Sequence, residues 1–318
     1  MLACIPLLLA EVHAASPQSG PQSGPQPGDV YREFVWTGPY RNAGNWQRVT
    51  DPGASHSGAQ AFLPNPINHV DLEHLEGALR AEITLEQWGG HAGTSAKRVR
   101  FNGNPWIDVP EPDIPGRAGS ASSSRLGPEC FQYFTYPTVS LPLEQLRGGD
   151  NTFEFTCGRQ VCFNFGWGQW GVYAAIVRLY YDPTVARVDG HVTLPDGLVV
   201  RDESLRLGVD LRGDTAAVSS VDFIGRYQDF DITGDGGWQD WQATTRFGRL
   251  RNHIGTAVAD PWTVTWATSW VPDQSEPITV LARIRLDDGL YRVTAAVEGL
   301  GLDRSDRSVQ LYRPFDVP

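Results

Sequence analysis

Leu79-Arg80-Ala81-Glu82-Ile83-Thr84-Leu85-Glu86 places an apolar side chain at every odd position and a polar one at every even position. Side chains of an extended chain point alternately to opposite faces, so this period of two reads as a half-buried β-strand with Glu82 and Glu86 toward solvent. The pattern recurs outward from there. Arg98-Val99-Arg100-Phe101 repeats it, Asn102-Gly103 supplies a turn whose residues tolerate positive φ, and Trp106-Ile107-Asp108-Val109 is the return strand. Residues 152–156 form another strand, and residues 171–181 are apolar on both faces, as a central strand between two layers must be. Beyond Asp182-Pro183, Leu205, Leu207, Val209 and Leu211 alternate with polar residues, and short strand-like runs follow at 221–224, 262–266, 278–284, 291–297 and 308–312. The segment from His69 to His74 fits a short helix, with both histidines on the surface. With 34 Gly and 23 Pro to make turns and no long helical periodicity, the chain reads as all-β.

A chain of 318 residues, 41% hydrophobic, can bury two cores. The boundary falls at Asp182-Pro183, giving domains over residues 30–183 and 184–318. Residues 1–15 hold a short apolar run followed by small residues, the pattern of a signal peptide, so the protein is expected to be secreted or displayed at the cell surface. Residues 16–29 repeat Pro-Gln-Ser-Gly and carry no aliphatic side chain, so they are expected to be a disordered linker. No run approaches the roughly 20 apolar residues of a membrane span. The net charge of -11, with no cluster of Lys or Arg, argues against nucleic acid as a partner.

Cys157-Gly-Arg-Gln-Val-Cys162 suits a small disulfide loop in an oxidising compartment; two buried thiols are the alternative, and the pairing of Cys130 stays open.

The order of elements in the first domain is a strand ending in Arg100-Phe101-Asn102-Gly103, then Leu141-Pro142-Leu143-Glu144-Gln145-Leu146, then Gly149-Asp150-Asn151-Thr152-Phe153, then residues 172–181. It resembles the galactose-binding-like jelly roll found in sugar-binding modules and accessory domains of glycosidases. The second domain resembles bacterial Ig-like modules, and the pairing resembles uncharacterised secreted bacterial proteins. The resemblance implies an N-terminal jelly-roll β-sandwich followed by an Ig-like β-sandwich, and it carries no activity with it.

The functional signal is aromatic. Trp88, Trp106, Trp167 and Trp170 lie near glycine-rich turns, where an exposed indole can stack on a pyranose ring and nearby His91, Arg98 and Gln169 can bond to hydroxyls. The competing reading is that these tryptophans fill a core or a domain interface. In the second domain, Asp229, Asp231, Thr233, Asp235 and Asp240 take the oxygen-ligand positions of an EF-hand-type calcium loop, with Gly234 at its sharp turn. Ca2+ would stiffen a long loop between strands. Glu82, Glu86, Asp108, Glu111 and Glu129 are the carboxyl groups available to a glycosidase, but no pair stands out, and no Gly-x-Ser-x-Gly elbow is present. The expectation is a non-catalytic carbohydrate-binding or accessory protein whose partner is a polysaccharide or other glycan. A polysaccharide-degrading enzyme and a structural cell-surface protein are the alternatives.

Overall fold

The computed structural model describes residues 24–39, 46–111, 134–161, 166–194, 197–200, 203–232 and 237–303. The first half contributes β1 (Val30–Thr37), β2 (Gln47–Thr50), β3 (Ile67–Leu72), β4 (Arg80–Trp88), β5 (Arg98–Phe101), β6 (Ile107–Asp108), β7 (Phe134–Thr135), β8 (Thr138–Leu141), β9 (Gly149–Thr156) and β10 (Gln169–Tyr181). The second contributes β11 (Val188–Thr193), β12 (Val199–Val200), β13 (Ser204–Gly213), β14 (Val218–Gln228), β15 (Gln239–Trp241), β16 (Thr244–Arg246), β17 (Arg249–Arg251), β18 (Gly255–Ala257), β19 (Thr263–Ala267), β20 (Ile278–Leu286), β21 (Leu290–Val293) and β22 (Val297–Leu302). The fold is all-β, built as packed sheets. Among the described residues no helix is long and apolar enough to cross a membrane.

In the first half, β10 is the central strand, paired with β1 on one side and β4 on the other. Their inward residues meet the sheet β3-β9-β5-β6. Ala81, Ile83 and Leu85 from β4 and Val177 and Leu179 from β10 share one core with Val99, Phe101, Phe153 and Phe155. The aromatic rings run in contact from Phe101 through Phe153 and Phe155 to Trp170. The expected hairpin is present: β5 pairs antiparallel with β6, and Asn102 (φ 51) and Gly103 (φ 72) turn the chain between them. The expected helix around His69 is instead strand β3, because its pairing with β9 satisfies the backbone. His69 remains on the surface, 3.0 Å from Asp150.

β1 also pairs with β21, through Val30↔Arg292, Tyr31↔Tyr291 and Arg32↔Leu290. A single sheet therefore runs through both halves, in the order β12-β22-β20-β21-β1-β10-β4-β7. In the second half β11-β13-β19 forms a separate sheet, and Leu205 and Leu207 of β13 share the core with Val221, Phe223, Ala282 and Ile284.

The outward face of the shared sheet corrects the expectation for Glu82 and Glu86. They are 4% and 1% exposed. Glu82 and Glu86 do alternate with the core residues, but both faces of β4 are covered. Tyr31, Tyr180 and Tyr291 stack over the junction at 5.4 and 5.2 Å. Beside them Arg178 reaches Glu33 at 2.8 Å and Glu82 at 3.2 Å, while Arg283 reaches Glu33 at 3.4 Å and Asp222 at 2.8 Å. The hairpin β16–β17 closes over β4: Gly248 N–H donates to Glu86 at 3.4 Å. Gly248 sits at φ +71, and a Cβ there would come within 2.2 Å of Val35, so no other residue fits without movement.

The end of the presumed linker is also held. Residues 24–29 lie against the fold, with Gly28 N–H bonded to the Val293 carbonyl and Asp29 paired with Arg80 at 2.7 Å. Backbone pairing and one ion pair order a stretch that has no aliphatic side chain to bury. Residues 1–23, including the segment expected to be a signal peptide, lie outside the described residues.

A candidate glycan-binding surface

Four connections converge where β10 begins. In register, Gly171 stands opposite both Arg48 and Trp88, and Trp170 opposite Val49. A Cβ on Gly171 would lie 2.7 Å from the Trp46 ring and 3.3 Å from the Trp88 ring. This glycine in an otherwise apolar strand therefore makes room for two indoles on the sheet surface. Trp46 and Trp88 meet edge to face at 5.7 Å. The Arg48 guanidinium lies 5.0 Å from the Trp46 ring centre and 4.1 Å from that of Phe62, and it donates to the side-chain oxygen of Gln169. Phe62 is 43% exposed, while Trp46, Trp88 and Trp167 are half-buried.

Trp167 lies between two imidazoles, 4.6 Å from His56 and 5.2 Å from His91. His91 Nδ1 is 3.0 Å from the Trp167 carbonyl, which can only accept, so Nδ1 carries a proton and Nε2 is the acceptor of the neutral ring. His56 Nδ1 accepts from Gly58 N–H at 3.0 Å, so its neutral ring is protonated at Nε2. In their neutral forms the two rings thus differ in which nitrogen is protonated. The Trp167 indole N–H is shielded from solvent and meets no acceptor among the described residues. An orphan donor of this kind is unusual in a folded protein and calls for a partner.

Of the expected residues, Trp88 meets Trp46, His91 meets Trp167, and Gln169 meets Arg48. Gln169 is only 3% exposed and acts by holding Arg48. Trp170 is a correction: it is fully buried, with its indole N–H bonded to the Thr156 carbonyl at 3.3 Å. It points inward because its neighbours at 169 and 171 point outward. Arg98 and Trp106 are also separated from the surface. They belong to the other sheet, where Arg98 pairs with Asp108 at 2.7 Å and Trp106 is covered by Arg100 at 4.4 Å. Sequence reading missed Trp46, Arg48, His56 and Phe62. The signal for the first two was present, since positions 46 and 48 share one face of an extended chain. His56 and Phe62 lie on a long connection with no pattern to mark them.

Cys157 is a free, buried thiol rather than half of a disulfide with Cys162. It continues the inward series Phe153, Phe155, Cys157 of β9, and burial pushes its pKa up, leaving it inert. Cys4, Cys130 and Cys162 lie outside the described residues.

The acidic loop does sit between strands, as expected, since β14 and β15 pair through Gln228↔Gln239. Asp240 accepts from the Ile232 backbone at 2.8 Å, and burial raises the pKa of Asp229. Asp231 is described; Thr233 and Asp235 lie outside the described residues. Among the described residues no group of three or more His, Cys, Asp or Glu is arranged to hold a metal ion.

Glu86, two residues before Trp88, is a carboxyl group with a raised pKa. Burial raises it, and the backbone donors of Gly248 and Phe247 and the charge of Arg246 only partly offset that. A folded-state pKa above the ordinary 4.5 means that its contribution to stability is complete below that value and lost as pH rises through the raised one. Glu86→Gln keeps an acceptor for Gly248 and removes the buried charge. Its melting temperature is expected to exceed that of the parent near about pH 7.5 and to match it near about pH 4, in paired melts across that range.

No protein-family model matches the chain, and no curated protein matches it. Among solved structures it is similar to a β-porphyranase of glycoside hydrolase family 86 from Bacteroides plebeius, at 15% identity over 48% of this chain and 21% of that one, TM-score 0.27. It is also similar to fibronectin(III)-like modules of Clostridium thermocellum CbhA, at 12% identity over 69% and 85% of the two chains, TM-score 0.22. A third is a DUF4785 family protein of Legionella pneumophila, at 11% identity over 91% and 70%, TM-score 0.25. The chain spans about a fifth of the length of the porphyranase. At these scores the likenesses carry no argument about function.

Proposed function

We propose that this is a non-catalytic glycan-binding protein that works outside the cell, with the second half as a spacer for the first. The observation that carries this reading is the half-exposed surface of Trp46, Trp88, Trp167 and Phe62 beside Arg48, His56 and His91. Rigid aromatic faces next to directional polar groups are the common means of holding a sugar ring. A hydrolytic reading would require two carboxyl groups across a cleft, whereas Glu86 is 1% exposed and covered by the β16–β17 hairpin.

The test is retention of the full chain on a panel of neutral and acidic polysaccharides, with release of reducing ends followed in parallel. Trp167→Ala is expected to weaken retention at least about tenfold, a loss of ~1.4 kcal/mol, with an unchanged melting temperature. Sugar release that survives purification would sink the non-catalytic reading.

A further inference from the structure

We propose that the glycan held on this surface is acidic, and that Arg48 is the residue that takes its carboxylate or sulfate group. The inference rests on the glycan-binding reading and narrows it to a substrate class.

Arg48 differs from the other arginines that are partly or wholly withdrawn from water. Arg178 and Arg283 sit on Glu33, Arg100 on Glu154 through two bonds of 3.1 and 3.0 Å, and Arg32 on Asp288. Arg48 has no carboxylate partner among the described residues. Its contacts are two aromatic rings and the neutral oxygen of Gln169. Burial lowers its pKa, and no acidic side chain acts to raise it again. A cation withdrawn from water without a counter-charge is under-compensated, and a bound anion would supply what is missing.

The geometry is also suited to the task. The guanidinium lies over the Phe62 and Trp46 rings, and its Nη1 donates to Gln169. A planar fork held in this way presents paired N–H donors that match a carboxylate or a sulfate. The indoles that would stack on the sugar ring adjoin it, since Trp46 touches both Arg48 and Trp88. The net charge of -11 works against general attraction to polyanions, so acid-dependent binding here would have to be local.

The experiment uses the full chain and two matched pairs: polygalacturonate against its methyl ester, and a sulfated galactan against its desulfated form. In at least one pair the charged member is expected to bind about tenfold more tightly or better, and which pair responds tells carboxylate from sulfate. Arg48→Gln should reduce the charged member to the level of the neutral one, and Arg48→Lys should recover only part of the difference. Raising salt from about 50 to about 500 mM should weaken the charged member alone, a measurement on the parent that does not depend on any variant folding. Equal affinity within both pairs, or a charge preference that survives in folded Arg48→Gln, overturns the inference and leaves glycan binding standing. If none of the four is retained and no neutral polysaccharide in the wider panel is retained, the glycan reading falls and this inference with it.

Discussion

Arg178→Met is expected to destabilise the protein by about 3–5 kcal/mol, enough to lower the melting temperature by on the order of 5–10 °C. Arg178 lies between Glu33 and Glu82 and also bonds Thr84 at 2.7 Å. Methionine fills a similar volume but leaves two buried carboxylates short of a counter-charge, and breaking a buried pair from one side costs far more than replacing both partners. Adding Glu33→Gln should therefore restore part of the loss. Because β1 pairs with strands of both halves, the parent should melt in a single calorimetric transition and the variant should retain it. Two separated transitions in the parent would mean that the shared sheet does not couple the halves. Glu33 adds a pH signature. Burial would raise its pKa, but Arg283 and Arg178 outweigh that and hold the carboxyl below its ordinary 4.5. Its stabilising contribution is present above that value and lost as pH falls through the lower one, so the single and double variants should converge with the parent in acid.

Trp170→Ala is expected to cost about 3–5 kcal/mol through the cavity left by a fully buried indole. Trp170 packs edge-on to Phe155 at 5.6 Å and ends the aromatic series of the first core. Urea unfolding should show a lower midpoint with little change in slope. The contrast with Trp167→Ala is the informative part. One variant should lose stability and the other binding, although the residues lie three apart. If Trp170→Ala melts with the parent, the placement of that side chain in the core is wrong.

The alternation at 79–86 and the Asn102-Gly103 turn were legible because strand periodicity and turn chemistry are local properties. The same holds for the buried strand at 171–181 and for the half-buried position of Trp88, His91 and Trp167 near glycine-rich turns. The inward side of Trp170 was not legible, because one residue of register moves a side chain to the other face, and register is set by the partner strands β2 and β4. The state of Cys157, disulfide or buried thiol, was not legible for a related reason. Its spacing to Cys162 suggested a loop, whereas the parity of β9 turns it into the core.

By itself the sequence determined the class: short period-two strands, abundant turn residues and an aromatic first half specify stacked sheets with an aromatic surface. Tertiary structure alone decided what covers each face. The burial of Glu82 and Glu86, the shared sheet made through β1 and β21, and the meeting of Trp46 with Trp88 and of His56 and His91 with Trp167 all join residues far apart in the chain. Alternation tells which side chains share a face. It does not tell whether water, a hairpin or another strand lies against that face, because this depends on long-range packing that no local pattern encodes.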